Sequence, residues 1–380
     1  MKILHLVQKP QRRGAEIFAF QLAERQTRTG HSSKIVYLYP GGQEALPLRN
    51  GDQTVGISEK HFSEKFPGWN PSIIRKLRAI VSDFDPDVIQ LNGARTIKYG
   101  AALRFFPTRK RVFVYRNIGD PRVWLRGFWR KFVYRKFLMA GVDGMVAVSE
   151  VTRSVLKALY SERQNTVVIP RGVDPDVFVP KQPRDFMRQE FQIPPSAVLL
   201  IYVGSLTSEK RVDRLLRIFS KVYPENPHLQ LWIVGDGSLR NVLEQQSAQL
   251  GISNSVHFLG TQSDVASFVN AADLFLLTSD TEGIPGTILE AGLLGIPAIA
   301  FQVGGISECI RNGETGVLIH PKNDEEFEKT ILRLAQDKQE RFQMGSAAQQ
   351  FIHSRFTIDR VSDAYNQFYK DLCDQAHRRS

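Results

Sequence analysis

Two glutamates, Glu282 and Glu290, stand eight positions apart within the segment TSDTEGIPGTILEAGLLGIPA at residues 278–298. Carboxylates accept hydrogen bonds from sugar hydroxyls, so this pair can hold a sugar or a ribose. Two glycines between them, Gly283 and Gly286, let the backbone come close to a ligand. These residue types at this spacing suit the binding of a sugar nucleotide.

The elements around the glutamates favour the same interpretation. The apolar run Leu274–Leu277 predicts a buried strand, and a helical apolar pattern starts after Gly286. The first N–H groups of a helix are unpaired and can bind an anion such as a phosphate. An alternative is open, because Thr287-x-x-Glu290 is also a capping box in which Glu290 only satisfies the helix start. That alternative accounts for neither Glu282 nor the glycines.

A second strand, loop and helix carry two cations. The loop Gly204–Arg211 (GSLTSEKR) follows the apolar run Val198–Val203. Lys210 or Arg211 can place a positive charge on a diphosphate. The alternative is that both are solvated side chains at a helix start, where the helix dipole mildly disfavours cations. That penalty favours a binding role for one of the two.

Strands and helices alternate along the chain, which predicts an α/β fold of doubly wound domains. The predicted strands are Ile3–Val7, Ile35–Tyr39, Val88–Leu91, Val112–Tyr115, Met145–Val148, Val167–Ile169, Val198–Val203, Leu229–Val234, Val256–Leu259, Leu274–Leu277 and Ala298–Phe301. A length of 380 residues indicates two domains. Asp174–Asp185 holds three prolines and several charges, so we place the interdomain linker there.

Composition bounds the class of protein. No run of about 18 apolar residues predicts a transmembrane helix, and Met1–Val7 is typical of a first strand rather than a signal peptide. Two cysteines, Cys309 and Cys373, give no disulfide framework and fit a reducing cytosol. The net charge of +11 favours anionic partners, which include phosphorylated substrates, anionic membranes and nucleic acid.

The segment that holds Glu282 and Glu290 resembles the signature of retaining glycosyltransferases with the GT-B fold, specifically glycosyltransferase family 4 (glycosyl transferases group 1). That signature is an acidic-glycine-x-proline turn, then a second glutamate followed by alanine, then G-x-P. Further pieces of the chain fall in the family's order: Met1–Val36, Gly144–Glu150, Val167–Phe178, Ile201–Leu216, Leu231–Gly237, Val256–Gly260 and Val303–Ile319. The resemblance therefore covers nearly the whole chain.

The resemblance implies two facing Rossmann-like domains. Residues 1–175 would form an N-terminal acceptor-binding domain, and residues 185–357 a C-terminal domain that binds a nucleotide-sugar donor. The last helix, within residues 358–380, would cross back to the N-terminal domain. No cofactor is implied besides the nucleoside-diphosphate sugar, which is the donor substrate.

The resemblance also implies site residues. Glu290 would hold the ribose, Glu282 would address the donor sugar, and Lys210 would contact the diphosphate and stabilise its departure. The other donor-binding residues are Gly14, Gly204, Ser205, Arg211, Gly235, Gly260, Gly283, Ile284, Pro285, Gly286 and Thr287.

Two positions depart from the family's pattern. Ser205 stands where many members have arginine, and Arg211 is a candidate substitute. Members commonly have a histidine at about Arg116 or Asn117, near the transferred sugar. In this chain, the catalytic role of that histidine either falls to Arg116 or Asn117 or is absent.

We expect no metal site. Asp83-x-Asp85-x-Asp87 and Asp174-x-Asp176 look like the D-x-D motif that holds a divalent cation in other glycosyltransferases, but both sets flank prolines and indicate polar turns. The sequence has no Cys/His cluster. Lysine and helix N-termini can neutralise a diphosphate instead, and the resemblance also implies a metal-independent enzyme.

The resulting hypothesis is a retaining transferase that moves a sugar from a nucleoside-diphosphate sugar to a glycan or lipid-linked intermediate of cell-envelope polysaccharide synthesis. Two alternatives are open. One is a sugar-nucleotide epimerase of the same fold, and the other is a non-catalytic scaffold that binds nucleotide sugars. Consumption of the donor without any acceptor would indicate the epimerase.

Residues 109–136 carry ten basic side chains with aromatic residues between them. The part Arg126–Met139 predicts a basic amphipathic helix. It is either packed on the core with a solvated basic face or in contact with an anionic membrane surface or acceptor. The residues that would make this contact are Arg126, Trp129, Arg130, Lys131, Arg135 and Lys136. Nucleic acid suits the segment less well, because no nucleic-acid-binding motif accompanies the charge.

Overall fold

A computed structural model describes residues 1–11, 13–42, 45–56, 70–104, 111–119, 121–125, 127–160 and 165–378, without the side chains of Val123, Trp124 and Arg130. The chain divides into two compact units. Unit 1 consists of Met1–Gly172 together with Ile358–Ser380, and unit 2 is Val173–Thr357.

Unit 1 is built on a parallel sheet in the order β3-β2-β1-β4-β5-β6-β7. Its strands are β1 (Lys2–Val7), β2 (Ser32–Tyr37), β3 (Gln53–Thr54), β4 (Val88–Asn92), β5 (Val112–Asn117), β6 (Gly144–Ala147) and β7 (Asn165–Val168). Its α-helices are α1 (Gly14–Arg28), α2 (Pro71–Phe84), α3 (Ala94–Arg104), α4 (Pro121–Trp124), α5 (Phe128–Val133), α6 (Glu150–Tyr160) and, from the end of the chain, Ile358–Arg378. A π-helical turn at Tyr134–Leu138 and a 3-10 turn at Met139–Gly141 continue α5.

The C-terminal helix Ile358–Arg378 packs on unit 1, as the resemblance implies. Its apolar residues recur at helical spacing and join strand residues and α1 in one core cluster. Gly144 in β6 permits this contact, because a Cβ atom there would lie 2.7 Å from the ring of Phe368 and 2.6 Å from Leu372. The end of the chain therefore completes the core of unit 1.

Unit 2 is built on a second parallel sheet, in the order β10-β9-β8-β11-β12-β13. Its strands are β8 (Val198–Val203), β9 (Leu229–Val234), β10 (Val256–Gly260), β11 (Leu274–Leu277), β12 (Ala298–Phe301) and β13 (Gly316–Ile319). Its α-helices are α7 (Arg184–Glu190), α8 (Val212–Val222), α9 (Arg240–Gln249), α10 (Val265–Ala271), α11 (Gly286–Leu293), α12 (Ile306–Cys309), α13 (Asp324–Gln336) and α14 (Lys338–Arg355); the C-terminal helix is α15.

Each sheet has a point at which the sequence order of the strands reverses, between β1 and β4 in unit 1 and between β8 and β11 in unit 2. Ligands of doubly wound folds bind outside the carboxyl ends of the strands at such a point. In unit 2 the two segments that follow these strands begin at Gly204 and at Thr278. These are the two loops in which the sequence places Lys210 and Glu282.

The segment expected as the linker, Asp174–Asp185, belongs to unit 2. The backbone N–H of Gln182 donates to Ser267 Oγ, 2.9 Å away, and the side chain of Asp174 is buried. These contacts hold the segment against unit 2, and the division of the chain falls directly before it, between Gly172 and Val173.

Candidate functional site

Two loops of unit 2 are joined by hydrogen bonds at the switch point of its sheet. Thr278 Oγ1 donates to the carbonyl oxygen of Arg211 at 3.0 Å, and the backbone N–H of Asp280 donates to the carbonyl oxygen of Glu209 at 2.9 Å. These bonds fix the loop after β8 against the loop after β11. Residues about 70 positions apart in sequence are thereby brought together.

Lys210 and Glu282 form an ion pair at this junction. Lys210 Nζ donates to Glu282 Oε1 at 2.7 Å, and Ser279 Oγ donates to the same oxygen at 2.7 Å. The Glu282 side chain is 9% exposed and that of Lys210 24%. Two donors on one carboxylate oxygen orient Glu282, while the ammonium group stays accessible to an anion. The pair thus combines a positioned hydrogen-bond acceptor with a cation.

The backbone of Glu282 is enclosed by a second glycine segment. Gly304 has φ +55°, and a Cβ atom there would lie 1.8 Å from the carbonyl oxygen of Glu282. The backbone N–H of Gly305 donates to that oxygen at 3.4 Å. Only glycine fits such an approach. The only sequence signal is the glycine pair after the apolar run Ala298–Phe301, and sequence reasoning did not single it out as part of the site.

Helix α11 begins directly after the loop that carries Glu282. Its N-cap residue is Pro285, which provides no side-chain cap, and its first residue is Gly286. Thr287 therefore lies inside the helix, so the capping-box interpretation of Glu290 is wrong. Glu290 is half-buried on the second turn. The first N–H groups of α11 have no carbonyl partner within the helix, as at any helix start.

Arg211 is the last residue of the loop after β8 and has φ +51°. Its guanidinium bonds Asp213 at 3.0 Å and Asp280 at 3.0 Å, and these hydrogen bonds raise the pKa of Arg211 above its usual value. Ser205 is exposed, with Oγ 3.3 Å from Thr207 Oγ1. Two carboxylates thus hold Arg211. That Arg211 substitutes for the arginine that many family members have at the position of Ser205 stays a prediction.

Three glycines lie at the carboxyl ends of neighbouring strands of unit 2: Gly204 follows β8, Gly235 follows β9, and Gly260 is the last residue of β10. Gly235 has φ +129°, and a Cβ atom there would lie 2.0 Å from the carbonyl oxygen of Gly204. The backbone N–H of Gly235 donates to the carbonyl oxygen of Gly260 at 2.8 Å. Arg240 lies beside them and donates to the carbonyl oxygen of Phe258 at 3.2 Å. Its guanidinium also pairs with Asp236 at 3.1 Å and with Glu244 at 2.8 Å.

The chain matches two families of sugar-transferring enzymes. Residues 183–351 match the family described as glycosyl transferases group 1, and residues 12–177 match glycosyltransferase family 4. The two matches together span most of both units. The chain belongs to the family 4 glycosyltransferases.

Curated relatives agree with this assignment. A lipopolysaccharide core biosynthesis glycosyltransferase from Rhizobium meliloti, LpsD, is 24% identical over 368 residues, which are 96% of this chain and 97% of LpsD. N-acetyl-alpha-D-glucosaminyl L-malate synthase from Bacillus anthracis is 28% identical over 235 residues. This second match covers 61% of each protein, so the chain matches less than two thirds of that relative's length.

A solved structure gives the same fold. HepE from Anabaena, crystallised in complex with UDP, has a TM-score of 0.82 at 22% identity and covers 98% of this chain and 100% of HepE. The same protein has also been crystallised with UDP-glucose. With two doubly wound units and a C-terminal helix on the first, this family 4 glycosyltransferase has the α/β GT-B fold.

Unit 1 of this glycosyltransferase buries both residues that stand where members commonly have a histidine. The Arg116 guanidinium lies 4.2 Å from the centre of the Phe18 ring, and burial lowers its pKa. Asn117 accepts from Tyr115 Oη at 2.8 Å and donates to the carbonyl oxygen of Gly119 at 2.6 Å. Both side chains are about 2% exposed or less, a geometry that favours positioning of neighbours, and their catalytic role stays a prediction.

Gly14 begins α1, and the preceding residue Arg13 provides no side-chain cap. A Cβ atom at Gly14 would lie 2.7 Å from Arg171 Nη1, so the glycine leaves room for that guanidinium. Burial also lowers the pKa of His5 to about 4, and its Nε2 lies 2.8 Å from Gln26 Oε1. His5 is a core residue.

The basic segment of unit 1 is exposed. Trp129, Lys131, Arg135 and Lys136 all lie on its surface. Arg126, also expected in this surface, lies outside the described residues. Arg130 belongs to α5, but its side chain is likewise outside the described part.

Neither a membrane span nor a metal cluster occurs in the part of the chain that the structure describes. None of its helices is long and apolar enough to cross a bilayer. No three His, Cys, Asp or Glu side chains group there as metal ligands. Of the aspartates that resemble D-x-D, Asp87 accepts from the backbone N–H of Lys2 and Asp174 from that of Asp176.

Proposed function

We propose that this protein transfers a sugar from a nucleoside-diphosphate sugar to an acceptor hydroxyl, with retention of the anomeric configuration. The observation that carries the proposal is the Lys210–Glu282 ion pair at the switch point of unit 2, beside the start of α11. A cation next to unpaired helix N–H groups suits a diphosphate. The complexes of HepE with UDP and UDP-glucose support a donor of this class.

The residues of unit 2 divide the work. Lys210 exchanges part of its bond with Glu282 for the diphosphate, whose negative charge grows as the sugar departs. Glu282 and the backbone of Gly283–Thr287 contact the donor sugar and diphosphate, and Glu290 accepts hydrogen bonds from the ribose. Lys210 and the start of α11 neutralise the diphosphate without a metal ion.

The transfer needs no covalent enzyme intermediate, because each bond that breaks is matched by one that forms between the substrates. The bond between the anomeric carbon and the diphosphate oxygen breaks with its electron pair on the diphosphate. The acceptor oxygen bonds the anomeric carbon on the same face, and its proton passes to the departing phosphate oxygen.

For the acceptor we propose a glycan or lipid-linked intermediate of cell-envelope polysaccharide synthesis. The likeness to LpsD, whose name places it in lipopolysaccharide core biosynthesis, supports this acceptor class. The corresponding location is the cytoplasm, at the inner face of the membrane.

A thermal-shift panel of UDP-, GDP- and ADP-sugars tests the donor, because a ligand that binds only the folded protein raises its Tm. We expect one nucleotide class to raise the Tm and Glu282→Gln with Lys210→Ala to remove the shift. Consumption of that donor without acceptor would indicate an epimerase. Tight binding with no turnover across an acceptor library would indicate a scaffold, and no shift with any nucleotide sugar would overturn the proposal.

A further inference from the structure

One short segment of unit 1, Gly127–Gly141, has one apolar face in the core and another in solvent. We call it the aromatic-basic segment. Tyr134, Leu138 and Met139 are buried and belong to the core cluster that also contains residues of α3. These three side chains fix the segment to the unit, so its opposite face has a defined orientation.

The opposite face exposes large apolar side chains. Phe128 and Trp129 are each 75% exposed, Phe137 is 63%, Val133 43% and Phe132 40%. Their rings touch edge to face in a row, with centroid distances of 5.9 Å from Phe128 to Trp129, 6.3 Å from Trp129 to Phe132 and 6.3 Å from Phe132 to Phe137. A contiguous aromatic patch of this kind marks an interaction site, whereas single exposed apolar residues need no explanation.

The π-helical turn builds this row. In a regular α-helix, side chains meet at spacings of three and four, whereas Phe132 and Phe137 are five residues apart. The turn at Tyr134–Leu138 adds a residue and brings Phe137 beside Phe132. π-helical turns are rare in proteins, and those that do occur are frequently found at functional sites. A regular helix over Arg126–Met139, as the sequence predicts, would not make this contact.

Charge surrounds the aromatic row. Lys131, Arg135 and Lys136 are exposed on the same segment. The sequence has no Asp or Glu from Pro121 to Val142, and no Ser, Thr, Asn or Gln from Gly127 to Leu138. The partner must therefore be anionic and must accept aromatic rings, and the hydrogen bonds that the exposed Lys, Arg and Trp side chains of this segment can donate suit an anion.

An anionic bilayer surface meets both conditions. Its headgroups attract Lys and Arg, and Trp and Phe enter the boundary between headgroups and acyl chains. Protein interfaces are depleted in lysine at their centre, so a protein partner fits less well. We propose that the aromatic-basic segment docks this protein on an anionic lipid surface, with Phe128, Trp129, Phe132 and Phe137 inserted at the interface.

Vesicle flotation tests the docking. Wild type should float with vesicles of phosphatidylcholine and phosphatidylglycerol, and much less with phosphatidylcholine alone. Lys131→Glu/Arg135→Glu/Lys136→Glu should lower partition by about 100-fold. The matched control is Arg360→Glu/Lys370→Glu/Arg378→Glu, which makes the same charge change at exposed positions of α15 in the same unit. The control variant should partition onto the vesicles as wild type does, apart from the general loss of attraction that its lower net charge causes.

Tryptophan quenching tests the insertion. Lipids brominated on their acyl chains should quench part of the emission, and Trp129→Phe should abolish the quenching that Trp129 contributes. No vesicle binding by wild type, or equal binding by the charge variant and the control, would overturn the proposal. Binding without quenching of Trp129 would overturn the insertion of the aromatic row.

The docking proposal rests on the proposed function in one respect only: an acceptor held at the membrane would be the reason for the enzyme to dock there. Flotation and quenching need neither donor nor turnover. A protein that floats but transfers no sugar would fail the proposed function alone, and an active enzyme that does not float would fail the docking alone.

Discussion

Lys210 Nζ lies 2.7 Å from Glu282 Oε1, although 72 residues separate the two in sequence. Each side chain comes from a different loop at the carboxyl edge of one sheet, and backbone hydrogen bonds between those loops set the distance. The bond to Glu282 holds the ammonium group of Lys210 at this edge of the sheet. Preorganised charge of this kind costs little rearrangement during reaction.

Lys210→Ala should lower kcat by about 100- to 1000-fold, because the departing diphosphate loses its positioned cation. The fold should remain, since the Lys210 side chain is partly exposed and Ser279 still donates a hydrogen bond to Glu282 after the change. Steady-state rates and Tm measure the two effects. Lys221→Ala is the matched control, because it removes a surface ion pair with Glu328 in the same unit. Chelator should leave wild type active, and activity that returned only with Mg²⁺ or Mn²⁺ would overturn the metal-free mechanism.

Glu290→Gln should weaken nucleotide binding by about 1–3 kcal/mol, because an amide cannot offer the ribose two charged acceptors. Calorimetry with the nucleotide identified by the thermal-shift panel measures the change. Glu314→Gln, at an exposed position paired with Arg311, should bind like wild type. Unchanged affinity in a folded Glu290→Gln protein would remove Glu290 from the donor site.

Gly304→Ala should displace Glu282 and impair donor binding, because the new Cβ would collide with the Glu282 carbonyl oxygen. Gly313→Ala separates this effect from backbone strain. Gly313 has φ +79° with no atom within 4 Å of its Cβ position, so alanine there costs only the strain of about 1–2 kcal/mol. Donor affinity should fall for the first variant and not for the second. Equal affinity for both would show that Gly304 does not position Glu282.

The buried imidazole of His5 should make unit 1 less stable in acid. Burial lowers its pKa from 6.5 to about 4, so below pH 6.5 the unfolded chain binds a proton that the folded chain rejects. The stability that goes with a neutral His5 imidazole is fully present above pH 6.5 and is lost as the pH falls towards 4. Between pH 7 and 5 the loss should be about 2 kcal/mol.

Urea unfolding at both pH values measures that loss. His5→Gln retains a hydrogen-bond donor for Gln26 but cannot be protonated, so its stability should change less between the two pH values. The exposed His353→Gln should retain the full wild-type difference. Identical pH dependence in wild type and His5→Gln would show that His5 is not the acid-sensitive group.

The sequence predicts the long buried strands well, because parallel strands covered on both faces read as continuous apolar runs. It does not reveal β3, which has two residues, or β13, a four-residue strand that begins with Gly316. The site residues Lys210 and Glu282 follow from loop position after such strands. Their shared contact with Ser279 and the enclosure by Gly304 depend on backbone geometry between distant segments, which no local pattern contains.

Two further features lie beyond local patterns. The apolar period of residues 126–139 cannot distinguish an α-helix from one interrupted by a π-turn, so it misplaces Phe137. Arg116 lies next to the end of β5, where a ligand-binding residue is expected, and only the packing of Phe18 against its guanidinium shows that it is enclosed. A cation beside an aromatic ring is stabilised without a carboxylate.

The C-terminal helix also sets an order of folding during synthesis. Residues of β1, β4 and β5 share one apolar cluster with Tyr365, Phe368 and Leu372, which are synthesised after unit 2. Unit 2 has all of its own chain beforehand. Synthesis of unit 1 therefore begins before that of unit 2, but its core can close only after unit 2 has been made, and until then part of its β-sheet face stays exposed to aggregation and to chaperones.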